Sequence, residues 1–171
     1  MDNINPTIYF RPVDKCKFTS ITAKSLFSDE YSTNKSEEII TQCEIYDAIK
    51  DIMDPEYPLT LEQLDVVSYG NITIDNDNKI IFVSFKPTVT NCSQASLIGL
   101  SIFFKLYSIL RNDFKIVIKV VKGTHDLEDA INKQLKDKER VFAALENPQI
   151  FKTITKGLCN SYIWEDDSLL Y

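Results

Sequence analysis

Ala95-Ser96-Leu97-Ile98-Gly99-Leu100-Ser101-Ile102-Phe103-Phe104-Lys105-Leu106-Tyr107-Ser108-Ile109-Leu110 is the stretch whose reading decides the fold. It is rich in helix formers and apolar nearly all round, the pattern of a central buried helix. Its length and Lys105 argue against a membrane span. Gly99 is expected to permit close packing on a sheet. On the N-terminal side, Lys79 to Lys86 reads as a strand, apolar on both faces for much of its length and closed by Pro87. On the C-terminal side, Phe114 to Val121 alternates, with Phe114, Ile116, Ile118 and Val120 on one face and Lys115 and Lys119 on the other. Two strands joined through a helix are expected to run parallel, with a right-handed crossover.

Working outward, Val66 to Asp75 reads as a further strand with Gly70 as a bulge, and Asp75-Asn76-Asp77-Asn78 as the hairpin turn that returns it antiparallel. Thr41 and Glu44 have capping-box spacing, and Ile45, Tyr46, Ile49, Ile52 and Met53 then fall on one helical face. Asp54-Pro55 ends that helix. Asp54 to Thr60 is a rigid, turn-rich loop and Leu61 to Leu64 a short helical turn, and Asp54 to Val67 as a whole reads as a packing or docking element. Beyond Gly123-Thr124-His125, Leu127, Ala130, Ile131 and Leu135 trace a helix face. Asp137 caps another helix running to Leu145. Asn147-Pro148 opens a last one, with Gly157 as its terminator. The expected fold is α+β: a small mixed three-stranded sheet, an antiparallel hairpin plus one parallel strand, with helices packed mainly on one face. Residues 1–40 read as a largely flexible segment with a docking motif at 5–10, residues 41–159 as the domain, and 160–171 as an acidic tail.

The chain has 171 residues, 44% of them hydrophobic, and a net charge of -6. That balance argues against direct nucleic-acid binding, which needs a basic face, and against anionic membrane surfaces. The start, Met1 to Phe10, lacks a secretory pattern, and no apolar run is long enough to span a bilayer. The four cysteines, at 16, 43, 92 and 159, form no C-x-x-C pair, which disfavours a zinc finger. Reduced thiols and a cytoplasmic or nuclear location are expected.

The chemistry concentrates at Cys92, between the second strand and the central helix. A helix N-terminus offers unpaired N–H groups and a positive dipole end, which favour a thiolate; a small half-buried capping residue is the plainer alternative. If the second and third strands are parallel and adjacent, the loops after Lys86 and Lys122 emerge at one sheet edge. Cys92 and His125, the single histidine, then approach each other, with Thr124 and Glu128 at the same edge. Three chemistries suit such a cluster: a Cys-His nucleophile pair, an open metal or iron–sulfur site using Cys92 and His125, or structural capping by His125 and Thr124.

Several colinear blocks carry a family resemblance. They are Asn5 to Tyr9, Asp54-Pro55-Glu56-Tyr57-Pro58-Leu59-Thr60-Leu61-Glu62-Gln63-Leu64-Asp65-Val66-Val67, Cys92 to Ile102, Gly123-Thr124-His125 running on to Val141, and Ala143 to Asn147. The chain resembles the SufT/PaaD-like domain family, and within it the eukaryotic small subunits of the cytosolic iron–sulfur assembly targeting complex. The resemblance implies a non-enzymatic adaptor that helps target clusters to apo-proteins, with no permanently bound cofactor and at most a transient iron–sulfur cluster or metal ion. It implies a WD-repeat propeller and a HEAT-repeat scaffold as partners, apo iron–sulfur proteins as clients, and a homodimer, in some members domain-swapped. The family's reactive cysteine maps onto Cys92 and its Gly-Thr-His loop onto Gly123, Thr124 and His125. One departure stands beside the thiol: Thr90-Asn91 replaces the usual Pro-His, so His125 is the imidazole left to serve there.

Overall fold

The computed structural model describes residues 39–110 and 113–158. The expected docking motif at 5–10, the 14–38 stretch and the 160–171 tail lie outside them. The described chain runs α1 (Gln42–Lys50), β1 (Ile72–Asp75), β2 (Ile80–Phe85), α2 (Ala95–Leu110), β3 (Lys115–Val120), α3 (Glu128–Lys136), α4 (Lys138–Leu145) and α5 (Pro148–Leu158). The sheet order is β1-β2-β3. The hairpin pairs Ile72 with Val83 antiparallel, and β2 lies parallel to β3 with Ile81 opposite Ile116 and Phe85 opposite Val120. This is the expected α+β fold with its mixed sheet.

The register sets the core. Ile81, Val83 and Phe85 of β2 and Ile116, Ile118 and Val120 of β3 point to one face and are all buried. The helices cover that face, α2 through Ile98, Ile102 and Leu106 and α3 through Ile131 and Leu135. β2 is apolar on both faces for much of its length, as expected, but only one is buried: Phe82 is 38% exposed on the open face, because nothing among the described elements covers it. Lys105 is the charged exception in α2. It is 4% exposed, and burial lowers its pKa to about 8 against the opposing pull of Asp51.

Several local expectations change. α1 has its capping box, with the Thr41 and Glu44 side chains each bonding the other's backbone, yet it ends at Lys50. Ile52 and Met53 leave the helix, and Met53 pairs with Thr60 as an isolated bridge. The first strand begins only at Ile72, because Tyr69–Asn71 form a 3-10 turn where a bulged strand was expected. On α3 the buried positions are Ile131 and Leu135, while Leu127 and Ala130 are exposed; the helix touches the sheet along a narrower stripe than the apolar pattern suggests. Asp137 caps α4 and Asn147 opens α5.

Two glycines mark close approaches. Gly157 does not terminate α5. It lies inside the helix, where a Cβ would sit 3.0 Å from the Met53 carbonyl oxygen and where Met53 N–H donates to the Gly157 carbonyl. A Cβ on Gly99 would fall 2.6 Å from Leu135 Cδ1 and 3.3 Å from Phe85, so α2 seats against sheet and α3 only without a side chain there. Alanine in a helix interior gains about 1 kcal/mol over glycine, but overpacking a tight core costs about 1–3 kcal/mol. Because Leu135 is itself buried, the clash is expected to win and Gly99→Ala to lower stability in urea denaturation. In the Gly99→Ala background, Leu135→Ala is expected to cost less than it does in the parent chain.

Candidate functional site at the β2 and β3 carboxyl ends

The two loops that leave the parallel strands meet at one sheet edge. Asp126 N–H donates to the Thr90 carbonyl at 2.8 Å, and the His125 ring bridges to the Cys92 carbonyl. His125 is 7% exposed and spends both ring nitrogens on backbone. Leu127 N–H donates to Nδ1 at 3.0 Å, so Nδ1 is an acceptor. Nε2 must then carry the proton, and it donates to the Cys92 carbonyl at 3.0 Å. The ring is a neutral clasp between two loops, aimed at the backbone of Cys92 and not at its sulfur.

The neighbouring residues build the same loop. Thr124 Oγ1 donates to the Val121 carbonyl at 2.6 Å. The Glu128 carboxylate, in the first turn of α3, accepts from Gly123 N–H, and Gly123 holds a φ of +78° that suits glycine. The topology thus brings Cys92, Thr124, His125 and Glu128 to one edge, with Thr124 and Glu128 bonded within the β3–α3 loop. Among the described residues, no three histidine, cysteine or acidic groups are placed to hold a metal ion. Asn91 sits four residues before α2 begins, too early to be its cap.

Cys92 lies in the turn just before α2 and is 5% exposed. Burial pushes its thiol pKa up, and the carboxylates of Glu56 and Asp54 push the same way. The backbone N–H groups of Gln94 and Ala95 pull it down, which is the helix-start effect expected from the sequence, but they lose to desolvation. At neutral pH Cys92 is therefore a protonated thiol, a correction to the thiolate expectation. Because the folded chain holds this proton to higher pH than the unfolded chain does, the group's contribution to stability is present below the ordinary thiol range and is lost as pH rises through it.

The loop that sequence reasoning set aside as packing supplies this environment. Asp54 is 8% exposed, and its Oδ1 accepts from Glu56 N–H and Tyr57 N–H at 2.8 and 2.9 Å. This turn aims the Asp54–Tyr57 segment at Cys92. Tyr57 is in turn held above the ordinary phenol range by burial and by Glu56, Asp54 and Cys92. Nothing in the spacing of Asp54-Pro55-Glu56 reveals which loop it meets. The link runs through Val66, whose carbonyl accepts from Lys86 N–H at 2.8 Å and so ties the end of that segment to the end of β2. Glu56 is exposed, so Glu56→Gln removes charge without opening the core. It is expected to speed iodoacetamide labelling of Cys92 at pH 7 about two- to threefold, a fraction of a tenfold-per-unit shift, read by mass spectrometry against unfolded chain.

No protein-family model matches the chain. Among curated proteins, it is 45% identical over 157 residues to Protein AE7 of Arabidopsis thaliana, covering 91% of this chain and 94% of that protein. It is 44% identical over 154 residues to cytosolic iron-sulfur assembly component 2B of Dictyostelium discoideum, with 90% and 94% covered. It is 42% identical over 156 residues to the MIP18 family protein galla-2 of Drosophila melanogaster, with 91% and 94% covered. At these identities and coverages, the chain belongs to the MIP18 family, the family of the cytosolic iron–sulfur assembly component 2 proteins.

Proposed function

We propose that this protein is a non-enzymatic adaptor of cytosolic iron–sulfur protein assembly that helps deliver clusters to apo-proteins, with Cys92 as its functional thiol. The observation that carries the reading is the match, over about nine-tenths of the chain, to proteins named as cytosolic iron-sulfur assembly component 2B from Dictyostelium discoideum and Mus musculus. Those names support work in the cytosol; the nucleus is a second proposed compartment. No helix of the described residues is long and apolar enough to cross a membrane. The partners in this reading are a WD-repeat propeller, a HEAT-repeat scaffold and the apo iron–sulfur clients, with a homodimer as a further assembly.

The local chemistry supports an adaptor over a Cys-His thiol enzyme. A nucleophile needs a base beside its sulfur, and both His125 nitrogens are engaged with backbone. A cluster is cargo in this reading. Cys92 supplies one thiolate to it, and the client or partner chains supply the rest, since cluster iron wants several soft ligands. Loading deprotonates the thiol and releases a proton, so the raised Cys92 pKa favours release over retention.

The test replaces the native protein in cells with Cys92→Ala and reads iron incorporation into a client enzyme. The variant is expected to fold, to keep its partners in pull-downs, and to lower client maturation at least about tenfold, since it lacks the one thiol ligand of the site. Full rescue by Cys92→Ala sinks the role given to the thiol.

A further inference from the structure

The sheet has a second face, and its composition opposes that of the chain as a whole. Opposite the buried register lie Thr73 of β1, Ile80, Phe82 and Ser84 of β2, and Lys115, Val117 and Lys119 of β3, with Lys86 continuing the β2 row. Ile80, Phe82 and Val117 make an apolar strip. Lys86, Lys115 and Lys119 flank it, all exposed, and none has an ion-pair partner among the described residues. The acidic group of this face, Asp75, is already bonded to Asn78. A chain of net charge -6 has therefore gathered an uncompensated positive, half-apolar surface at one place.

We propose that this open face is the docking site of the chain's own C-terminal segment, residues 159–171. The segment reads Cys159-Asn160-Ser161-Tyr162-Ile163-Trp164-Glu165-Asp166-Asp167-Ser168-Leu169-Leu170-Tyr171. It sets three consecutive carboxylates against three lysines and carries large apolar residues on both sides of them for the strip. A second copy of the face is a poor occupant, because lysine would meet lysine. Nucleic acid is a poor one too, because three lysines on an acidic chain displace few counterions.

The point of departure suits the match. The described residues of α5 run to Leu158, and its Gly157 carbonyl accepts from Met53 N–H. From there Leu61 N–H donates to Ile52, Val66 N–H to Leu61, and Lys86 N–H to Val66, at 2.9, 2.9 and 2.8 Å. Four backbone hydrogen bonds, each joining segments about 5 Å apart, and the one-residue step from Met53 to Ile52 put Gly157 within about 25 Å of Lys86. The eight residue steps from Gly157 to Glu165 span about 27 Å when extended, enough to bring Glu165 to Lys86 and leave the remainder to run across β2 and β3. Tethering at this length holds the segment at millimolar effective concentration, so weak exposed ion pairs and one apolar strip suffice.

Carbodiimide coupling of carboxylates to lysine amines, read by mass spectrometry on the full chain, tests this independently of the adaptor role. Cross-links from Glu165, Asp166 and Asp167 are expected to concentrate on Lys86, Lys115 and Lys119 and to weaken in 0.5 M salt, where the Debye length is only about 4 Å. The double variant Lys115→Glu, Lys119→Glu, on exposed positions that leave the core intact, is expected to lower coupling at Lys86, whose amine it keeps, at least about fivefold, because two of the three attractions reverse. Adding Glu165→Lys and Asp166→Lys is expected to restore coupling with the charges exchanged. Cross-links confined to the adjacent Lys152 and Lys156, or insensitive to the double variant, overturn the proposal. In an equal mixture of isotope-labelled and unlabelled chains, mixed-mass products would move the segment onto a second copy and overturn docking within one chain.

Discussion

Because β2 and β3 run in the same direction with Phe85 opposite Val120, the chain leaves the sheet twice at one edge, and everything at the candidate site follows from that register. A slip by one residue would turn every buried side chain of the strand outward, so the core that fixes the register also fixes the site. The two loops are then close enough for a single imidazole to join them. His125 satisfies two backbone groups, the buried Cys92 carbonyl, costly to leave unpaired in a dry environment, and the part-buried Leu127 N–H. α2 can pack this closely on the sheet and α3 only because Gly99 yields its volume to Leu135 and Phe85.

Within that frame, Cys92 is the outcome of a contest between short-range forces. The start of α2 offers the sulfur two N–H groups, which alone would favour the thiolate. Burial and the charges of Glu56 and Asp54 act against them and prevail. A sulfur so placed is kept from adventitious oxidation and alkylation, since both need the thiolate. In the proposed adaptor role, a thiol held protonated by burial and by the two carboxylates is a poor free nucleophile and gives up its proton only to a metal that outcompetes it.

Much of this was legible in the sequence, for physical reasons that differ by element. α2 was legible because length and apolar content leave no other structure for it. The alternation of β3 and the Asp75–Asn78 turn follow from local rules, and strand–helix–strand order implied the parallel pairing that brings Cys92 to His125. The limits of α1 and β1 were not legible: both are cut short by tertiary contacts, Met53 pairing with Thr60 and Tyr69–Asn71 turning. Gly157 looked like a helix end because the demand it answers comes from Met53, a hundred residues away along the chain. The protonation of Cys92 was misjudged for the same reason. The helix dipole is visible in the local sequence, whereas the carboxylates that oppose it arrive on a loop whose destination only the fold reveals.

That loop also ties the site to the rest of the molecule. Met53 is held by Gly157 at the end of α5, and the next residue, Asp54, organises the turn that faces Cys92. The same end of α5 launches the C-terminal segment, and the backbone bonds that run from Met53 through Leu61 and Val66 to Lys86 connect it to the open face of the sheet. The Gly157–Met53 contact, where a Cβ would meet the Met53 carbonyl oxygen at 3.0 Å, thus fixes the residue that adjoins Asp54.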